Sequence, residues 1–300
     1  MDTRNDVPQK REEANVELNL NGGLTGIFIG APGVGKSTMI GSVLEVPGVE
    51  RALLLAAKPR ESNSFIYRKH HAKLDVETFR DHKWAPGANR FEAGAFTRLF
   101  ERVLSLYDDD KYDAILLDPF TDVTYLAAHE LMQHEKVGTP RDLRDSIGFY
   151  GALKYKLKDF TQSLTGLASP DLKRPKHVLV TVHAQPTKED QQLPKSQGGG
   201  TKESSDNRGQ GVEFMGDALP MIEGAYRREI AGEFDIVGFS SVKYEMTKVG
   251  NVMSREAKYV VQLNADPERH AKAAVVPRLK EKEVANSMVE IFRVIKEASA

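Results

Sequence analysis

Apolar residues in this chain recur in two rhythms. Short unbroken runs at 24–30, 52–57, 114–118 and 177–182 have the length and composition of strands covered on both faces. Between them lie stretches in which apolar residues return every three or four positions. Phe96, Leu99, Val103 and Leu106 do so within 93–107, and Ile147, Tyr150, Leu153, Leu157, Phe160 and Leu164 within 147–164. That spacing predicts helices, each laying one stripe on a sheet. The alternation predicts an α/β fold: a mostly parallel sheet flanked by helices. Toward the end, 235–246 and 256–263 are β-rich and flank the stretch TKVGNVMS, which predicts a long antiparallel hairpin turning near Val249, Gly250 and Asn251. A last amphipathic helix is predicted over 282–297, with Val284, Met288, Ile291, Phe292 and Ile295 along it.

Two segments follow neither rhythm. Residues 1–20 read as a flexible tail, and KEDQQLPKSQGGGTKESSDNRGQG at 188–211 is almost free of apolar side chains and rich in Gly, Ser and Gln. The expectation is a single domain over 21–300 carrying a mobile loop at 186–211. Three hundred residues with 40% hydrophobic content can bury a core of that size. A formal net charge of -1 excludes a protein coated in basic surface, so a nucleic acid would have to be met by a local patch or by an assembly. The absence of cysteine removes disulfides, thiolate zinc sites and cysteine nucleophiles together. The polar opening MDTRNDVPQKREEANVELNL has no run suited to a signal peptide or membrane span, and a soluble cytoplasmic protein is expected.

The most specific chemical signal follows the first apolar run. Gly30-Ala31-Pro32-Gly33-Val34-Gly35-Lys36-Ser37 fits the phosphate-binding pattern G-x-x-x-x-G-K-[ST] at every fixed position, and Thr38 continues it. Strand, glycine-rich loop and a helix expected over 37–46 stand in the order the chemistry needs. Glycines let backbone N–H groups converge on phosphate oxygens, a helix N-terminus favours negative charge, Lys36 reaches the β and γ phosphates, and Ser37 can ligate Mg²⁺. An acidic residue at the end of a neighbouring strand completes such a site, and YDAILLDPF supplies Asp118. ATP with Mg²⁺ is the expected ligand.

Hydrolysis also needs a group that orients water. Pro119 follows Asp118, so that group must come from elsewhere. Glu61, after the second apolar run, is the first candidate, with Asp122 and Glu92 as others. The fourth run ends in VLVTVHAQPTKED, where His183 or Gln185 stands in place to touch a γ-phosphate and report its presence to the polar loop that follows.

The segments GIFIGAPGVGKST, YDAILLDPFTDV, HVLVTVHAQPTKED, ALPMIEGAYRREIAGEFDIVGF and RHAKAAVVPRL together resemble the phage-type RecA-like P-loop ATPases, a group carrying a AAA-domain label for phage nucleotide-binding proteins. The resemblance runs over about 22–298. It implies a RecA-like core, an oligomer with ATP between subunits, and a role with single-stranded DNA in phage recombination or replication. It also implies that Lys272 acts in trans on a neighbour's γ-phosphate. Here Ala273-Ala274 replace the Asp-Arg that follows this lysine in the family, and Arg278 or Lys280 are substitutes for it.

Charge gives the DNA role little independent support. Lys188, Lys195, Lys202 and Arg208 in the polar loop are balanced by Glu189, Asp190, Glu203 and Asp206, and no aromatic residue is present there for base stacking. Two alternatives remain. A nucleotide-gated scaffold with little turnover, recruiting an annealing, helicase or single-strand-binding partner, fits the missing base after Asp118. A small-molecule kinase would want an arginine-rich lid, which the balanced loop is not.

Overall fold

The computed structural model of this chain describes residues 22–57, 71–83, 91–139, 142–185, 220–222, 225–249, 252–263, 272–273 and 283–299. In chain order its elements are β1 (Thr25–Gly30), α1 (Lys36–Gly41), β2 (Ala52–Ala56), β3 (Leu74–Thr78), β4 (His82–Lys83), β5 (Phe91–Glu92), α2 (Ala95–Ser105), β6 (Ala114–Asp118), α3 (Phe120–His134), α4 (Ser146–Gly166), β7 (His177–His183), β8 (Ile236–Val249), β9 (Val252–Gln262), β10 (Lys272–Ala273), β11 (Glu283–Ala285) and α5 (Met288–Ser299).

Nine strands form one sheet in the order β11-β9-β8-β1-β7-β6-β2-β3, with β10 also on β8, while β4 and β5 pair separately. The six strands from β8 to β3 are parallel to their neighbours; β9, β10 and β11 pair antiparallel. The unbroken apolar runs follow from this layering, because each strand serves two cores. Ile27, Leu53, Leu55, Ile115, Leu117 and Val180 face a core built with Phe96 and Leu99 of α2, Phe120 and Val123 of α3, and Leu153, Leu157 and Phe160 of α4. Their neighbours Phe28, Leu54, Leu116 and Leu179 face the other core, with Met39 and Ile40 of α1 and Met288, Ile291 and Ile295 of α5. Phe96, Phe120 and Phe160 meet at ring separations of 5.5 and 6.1 Å on the first side. Among the described residues no helix is long and apolar enough to cross a membrane.

The four buried runs, the two central helices and the hairpin stand where the hydrophobic pattern puts them, and four details differ. The helix after the phosphate loop stops at Gly41, and one 3₁₀ turn covers 42–45. Ser42 causes the change, since its hydroxyl donates to the Met39 carbonyl at 2.5 Å and accepts the Met288 N–H at 2.8 Å. The stripe predicted along 147–164 is core from Leu153 onward, but Ile147 is 86% exposed, and it is Phe149 that the first turn of α4 buries in the core. The segment 282–297 divides: Glu283–Ala285 pair with β9, and the helix starts at Met288 after Ser287 accepts the Ile291 N–H. Finally, the hairpin strands run to Val249 and from Val252, so most of TKVGNVMS is ladder and not turn.

Candidate functional site

Parallel strands bring their carboxyl ends to one edge, where the crevice of an open α/β sheet forms. Register decides which residues meet there. Gly30 of β1 lies beside His183 of β7, and Leu117 of β6 lies beside Val180, which sets Asp118 next to Thr181. The phosphate loop leaves β1 at this edge. Gly33 and Gly35 hold φ of 82° and 84°, a region that costs a side-chain-bearing residue, and Gly30 has no room for a Cβ, which would lie 2.6 Å from the Ser240 carbonyl oxygen.

Lys36, 6% exposed, folds back over the loop, and its ammonium donates to the carbonyls of Gly30 and Ala31, each at 2.8 Å. Ala31, Val34 and Ser37 are half-buried, whereas Pro32, Gly33 and Thr38 lie exposed. Because α1 spans six residues, the N–H groups of the loop, more than a long helix dipole, are what the site offers an anion. Asp118 is 2% exposed and accepts the Thr181 hydroxyl. Burial pushes its carboxyl above the usual carboxylate range; the hydroxyls of Ser37 and Thr181 and the charge of Lys36 pull the other way without prevailing, and Asp122 adds to the rise. Burial thus disfavours the charged form of this carboxyl. Together with the Ser37 hydroxyl it is a hard-oxygen donor set that fits Mg²⁺. Among the described residues no cluster of three or more His, Asp or Glu could hold a metal ion on its own. A magnesium ion here would need phosphate oxygens as well.

The layout is an open, mostly parallel sheet with a phosphate loop at its carboxyl edge. The strand ending in Asp118 stands one strand away from β1, with β7 between them. No protein-family model matches the chain, and no curated protein matches it. Among solved structures, it is similar to a prototypical ATPase from the type III secretion system of pathogenic bacteria, at 15% identity and TM-score 0.41, over 73% of this chain and 51% of that one. It is also similar to the assembled ATPase EscN of the type III secretion system of enteropathogenic E. coli, at 16% identity and TM-score 0.40, over 74% of this chain and 43% of that one. A third structure, EscN in complex with its central stalk EscO, overlaps 56% of this chain and 42% of that one at 17% identity and TM-score 0.34. The chain thus spans about half the length of these proteins or less. Overlaps this loose carry no argument about this chain.

The remaining expected residues divide by place. The His183 N–H is taken by the Thr121 hydroxyl at 3.0 Å, and its carbonyl accepts the Met221 N–H at 2.7 Å, so the end of β7 joins the turn after Asp118 to the chain returning at 220. Gln185 is exposed, and its side-chain oxygen is held by Arg227 at 3.0 Å. Lys272 pairs through its backbone with Val237, which lies level with Ile27, well down the sheet from the phosphate edge of its own subunit. Glu92 falls on β5. Glu61, Arg278, Lys280 and the loop at 186–211 lie outside the described residues.

Some of the site was missed by sequence reasoning. Thr181 and Thr121, which hold Asp118 and His183, are polar intruders in apolar or helical stretches, and that placement was the signal. Asn286 and Tyr259 against Gly35 carried no signal, because a contact across more than 200 positions leaves no local pattern.

Proposed function

We propose that this protein binds ATP with Mg²⁺ at the edge formed by β1, β6 and β7 and hydrolyses it, working as an oligomer together with single-stranded DNA. The observation that carries the nucleotide part is the convergence of the loop at 30–38, buried Lys36 and the strained electrostatics of Asp118 on one crevice. Bound with the nucleotide, Mg²⁺ supplies neutralisation of charge on the β and γ phosphate oxygens. The chain's own part is distinct. Lys36 exchanges the Gly30 and Ala31 carbonyls for phosphate oxygen, the loop N–H groups fix the phosphate chain, Ser37 and Asp118 hold the ion's shell, and Thr181 keeps Asp118 oriented. His183, through Thr121, carries the state of this crevice to the chain beyond β7. The oligomer, the single-stranded DNA and the trans action of Lys272 rest on the family resemblance alone.

A second reading has one observation in its favour. Asp122, in the first turn of α3, is 4% exposed and acts electrostatically on Asp118, so it is a carboxylate of the site shut away from the solvent that a hydrolytic base must share. A nucleotide-gated scaffold with little turnover would look like this. ATP turnover by the purified protein, with and without single-stranded DNA at low and moderate salt, separates the two, since phosphate contacts weaken as salt rises. Turnover that DNA stimulates supports the ATPase acting with DNA. ATP binding with no turnover under either condition moves the conclusion to the scaffold, and no ATP binding ends both.

A further inference from the structure

We propose that Tyr259, held against Gly35 by Asn286, is the platform on which the base of the bound nucleoside triphosphate stacks, and that the base is a purine. The inference rests on the nucleotide reading above and names its base subsite. A Cβ placed on Gly35 would lie 2.7 Å from the side-chain nitrogen of Asn286 and 3.2 Å from Cδ1 of Tyr259, so both groups press directly on the loop backbone. The Asn286 amide donates to the Gly35 carbonyl at 3.0 Å, and its backbone N–H donates to the Tyr259 carbonyl at 3.2 Å. These bonds close a triangle between the phosphate loop, β9 and the turn before α5. Ser42, accepting the Met288 N–H, ties the 3₁₀ turn after α1 to α5 at a second point.

The backbone of Tyr259 is therefore anchored and its ring lies against the loop, and yet the residue is 45% exposed. A tyrosine anchored beside a phosphate site with half its surface open has already lost part of the freedom that binding would otherwise cost, which favours a flat apolar ligand over water. The hairpin register extends the same face outward. Val242 lies opposite Tyr259 and Ala257 opposite Tyr244, so these four residues share one side of the ribbon, and Tyr244 is also 44% exposed. A triphosphate wrapped by 30–38 ends in a sugar and a base that must lie against a surface bordering the loop, and at Gly35 that border is an aromatic ring. The Asn286 side-chain oxygen is enclosed and accepts no hydrogen bond among the described residues. A purine covers more of the ring than a pyrimidine does.

Calorimetric titration of ATP, CTP and inorganic tripolyphosphate, each with Mg²⁺, into the wild-type chain, Tyr259→Phe and Tyr259→Ala tests the assignment. The expected result is that Tyr259→Ala weakens ATP on the order of tenfold, weakens CTP less, and leaves tripolyphosphate unchanged, while Tyr259→Phe stays close to wild type. Unchanged tripolyphosphate affinity also certifies that the alanine variant is folded at the loop. Equal losses for ATP and tripolyphosphate, no loss for either, or a phenylalanine variant as weak as alanine would each overturn the stacking role. Equal losses for ATP and CTP overturn the purine preference. A wild-type chain that binds none of the three ligands fails at the phosphate site itself, which separates that failure from one at Tyr259.

Discussion

Asp113 and Asp118 bracket the same strand and have opposite lives. Asp113 stands just before β6, at the amino edge of the sheet. Burial works against its charge, but the N–H groups of Glu50 and Arg51 at 2.8 and 3.0 Å and the guanidinium of Arg174 outweigh it and hold the carboxyl below the usual range. Asp118, at the other end, is buried more deeply with less to answer its charge, and its carboxyl is pushed up. The contrast extends to neighbours. At the amino edge His177 accepts the Leu24 N–H at 3.0 Å, and Asp235 accepts both the N–H and the hydroxyl of Thr25, at 3.0 and 2.8 Å. At the carboxyl edge the Lys36 ammonium rests on the Gly30 and Ala31 carbonyls, each at 2.8 Å, and beside it Asp118 is buried with its charged form disfavoured. The carboxylate of Asp113 at one end of the sheet is held charged by its donors; that of Asp118 at the other end is held toward its neutral form.

Substitution should therefore separate function from stability along one strand. The largest effect is expected for Lys36→Ala, which should lower turnover on the order of a hundredfold or more and abolish tight ATP binding, with the circular dichroism spectrum unchanged. Retained turnover would remove the phosphate site from the account. The paired aspartates come next. Asp118→Asn should abolish Mg²⁺-dependent turnover while leaving stability at neutral pH equal or higher, because it removes a carboxyl whose charged form burial disfavours. Asp113→Asn should leave turnover intact and cost about 1.5–3 kcal/mol in denaturant unfolding, the range for lost hydrogen bonds to a charged group. If both variants lose stability alike, the two ends do not differ as described.

Acid sharpens the same contrast. The depressed Asp113 carboxyl contributes stability that is in place above 3.8, its ordinary value, and fades as pH falls through the folded value. The raised Asp118 carboxyl does the reverse: its contribution is present below 3.8 and is lost as pH rises through the folded value. Unfolding curves between pH 3 and 7 should show Asp113→Asn flattening the acid loss and Asp118→Asn gaining on wild type as pH rises.

What was readable beforehand follows the same division. Buried runs such as Ala52–Ala56 and Ala114–Asp118 announce themselves, since residues shared by two cores must be apolar at every position. The phosphate loop and Asp118 are legible because their chemistry needs fixed residue types at fixed spacing. Leu74–Thr78 is not, because at the edge of the sheet none of its residues is buried and Val76 is exposed, so polar residues fill most of it. Phe120–His134 is hidden for another reason: its eight buried residues cluster in its first nine positions instead of forming a stripe, so no clear helical period shows. The divided segment before α5 could have been read from Asn286 and Ser287, capping residues set just ahead of an apolar run. The contacts that hold the site, Thr181 on Asp118 and Asn286 on Gly35, join distant parts of the chain, and only the folded sheet brings them together.

The smallest predicted effect belongs to His177, the amino edge's pH-sensitive element. Its Nδ1 accepts the Leu24 N–H, and its ring meets Phe292 edge-on at 4.9 Å, a setting that admits the neutral imidazole. Burial lowers its pKa below 6.5, and the charge of Asp113 opposes that only in part. A depressed folded value means that the unfolded chain takes up a proton that the folded chain refuses. The stability His177 contributes is thus present above 6.5 and is lost as pH falls through the folded value. His177→Gln can keep the acceptor for Leu24 without titrating. Thermal melts at pH 7.5 and 5.5 should then show a smaller drop for the variant than for wild type, by a few degrees at most, given that about 1 kcal/mol moves the midpoint of a large domain by about 2–4 °C. Equal drops would mean that the histidine takes up its proton in place, and the amino edge would be less complete than its hydrogen bonds suggest.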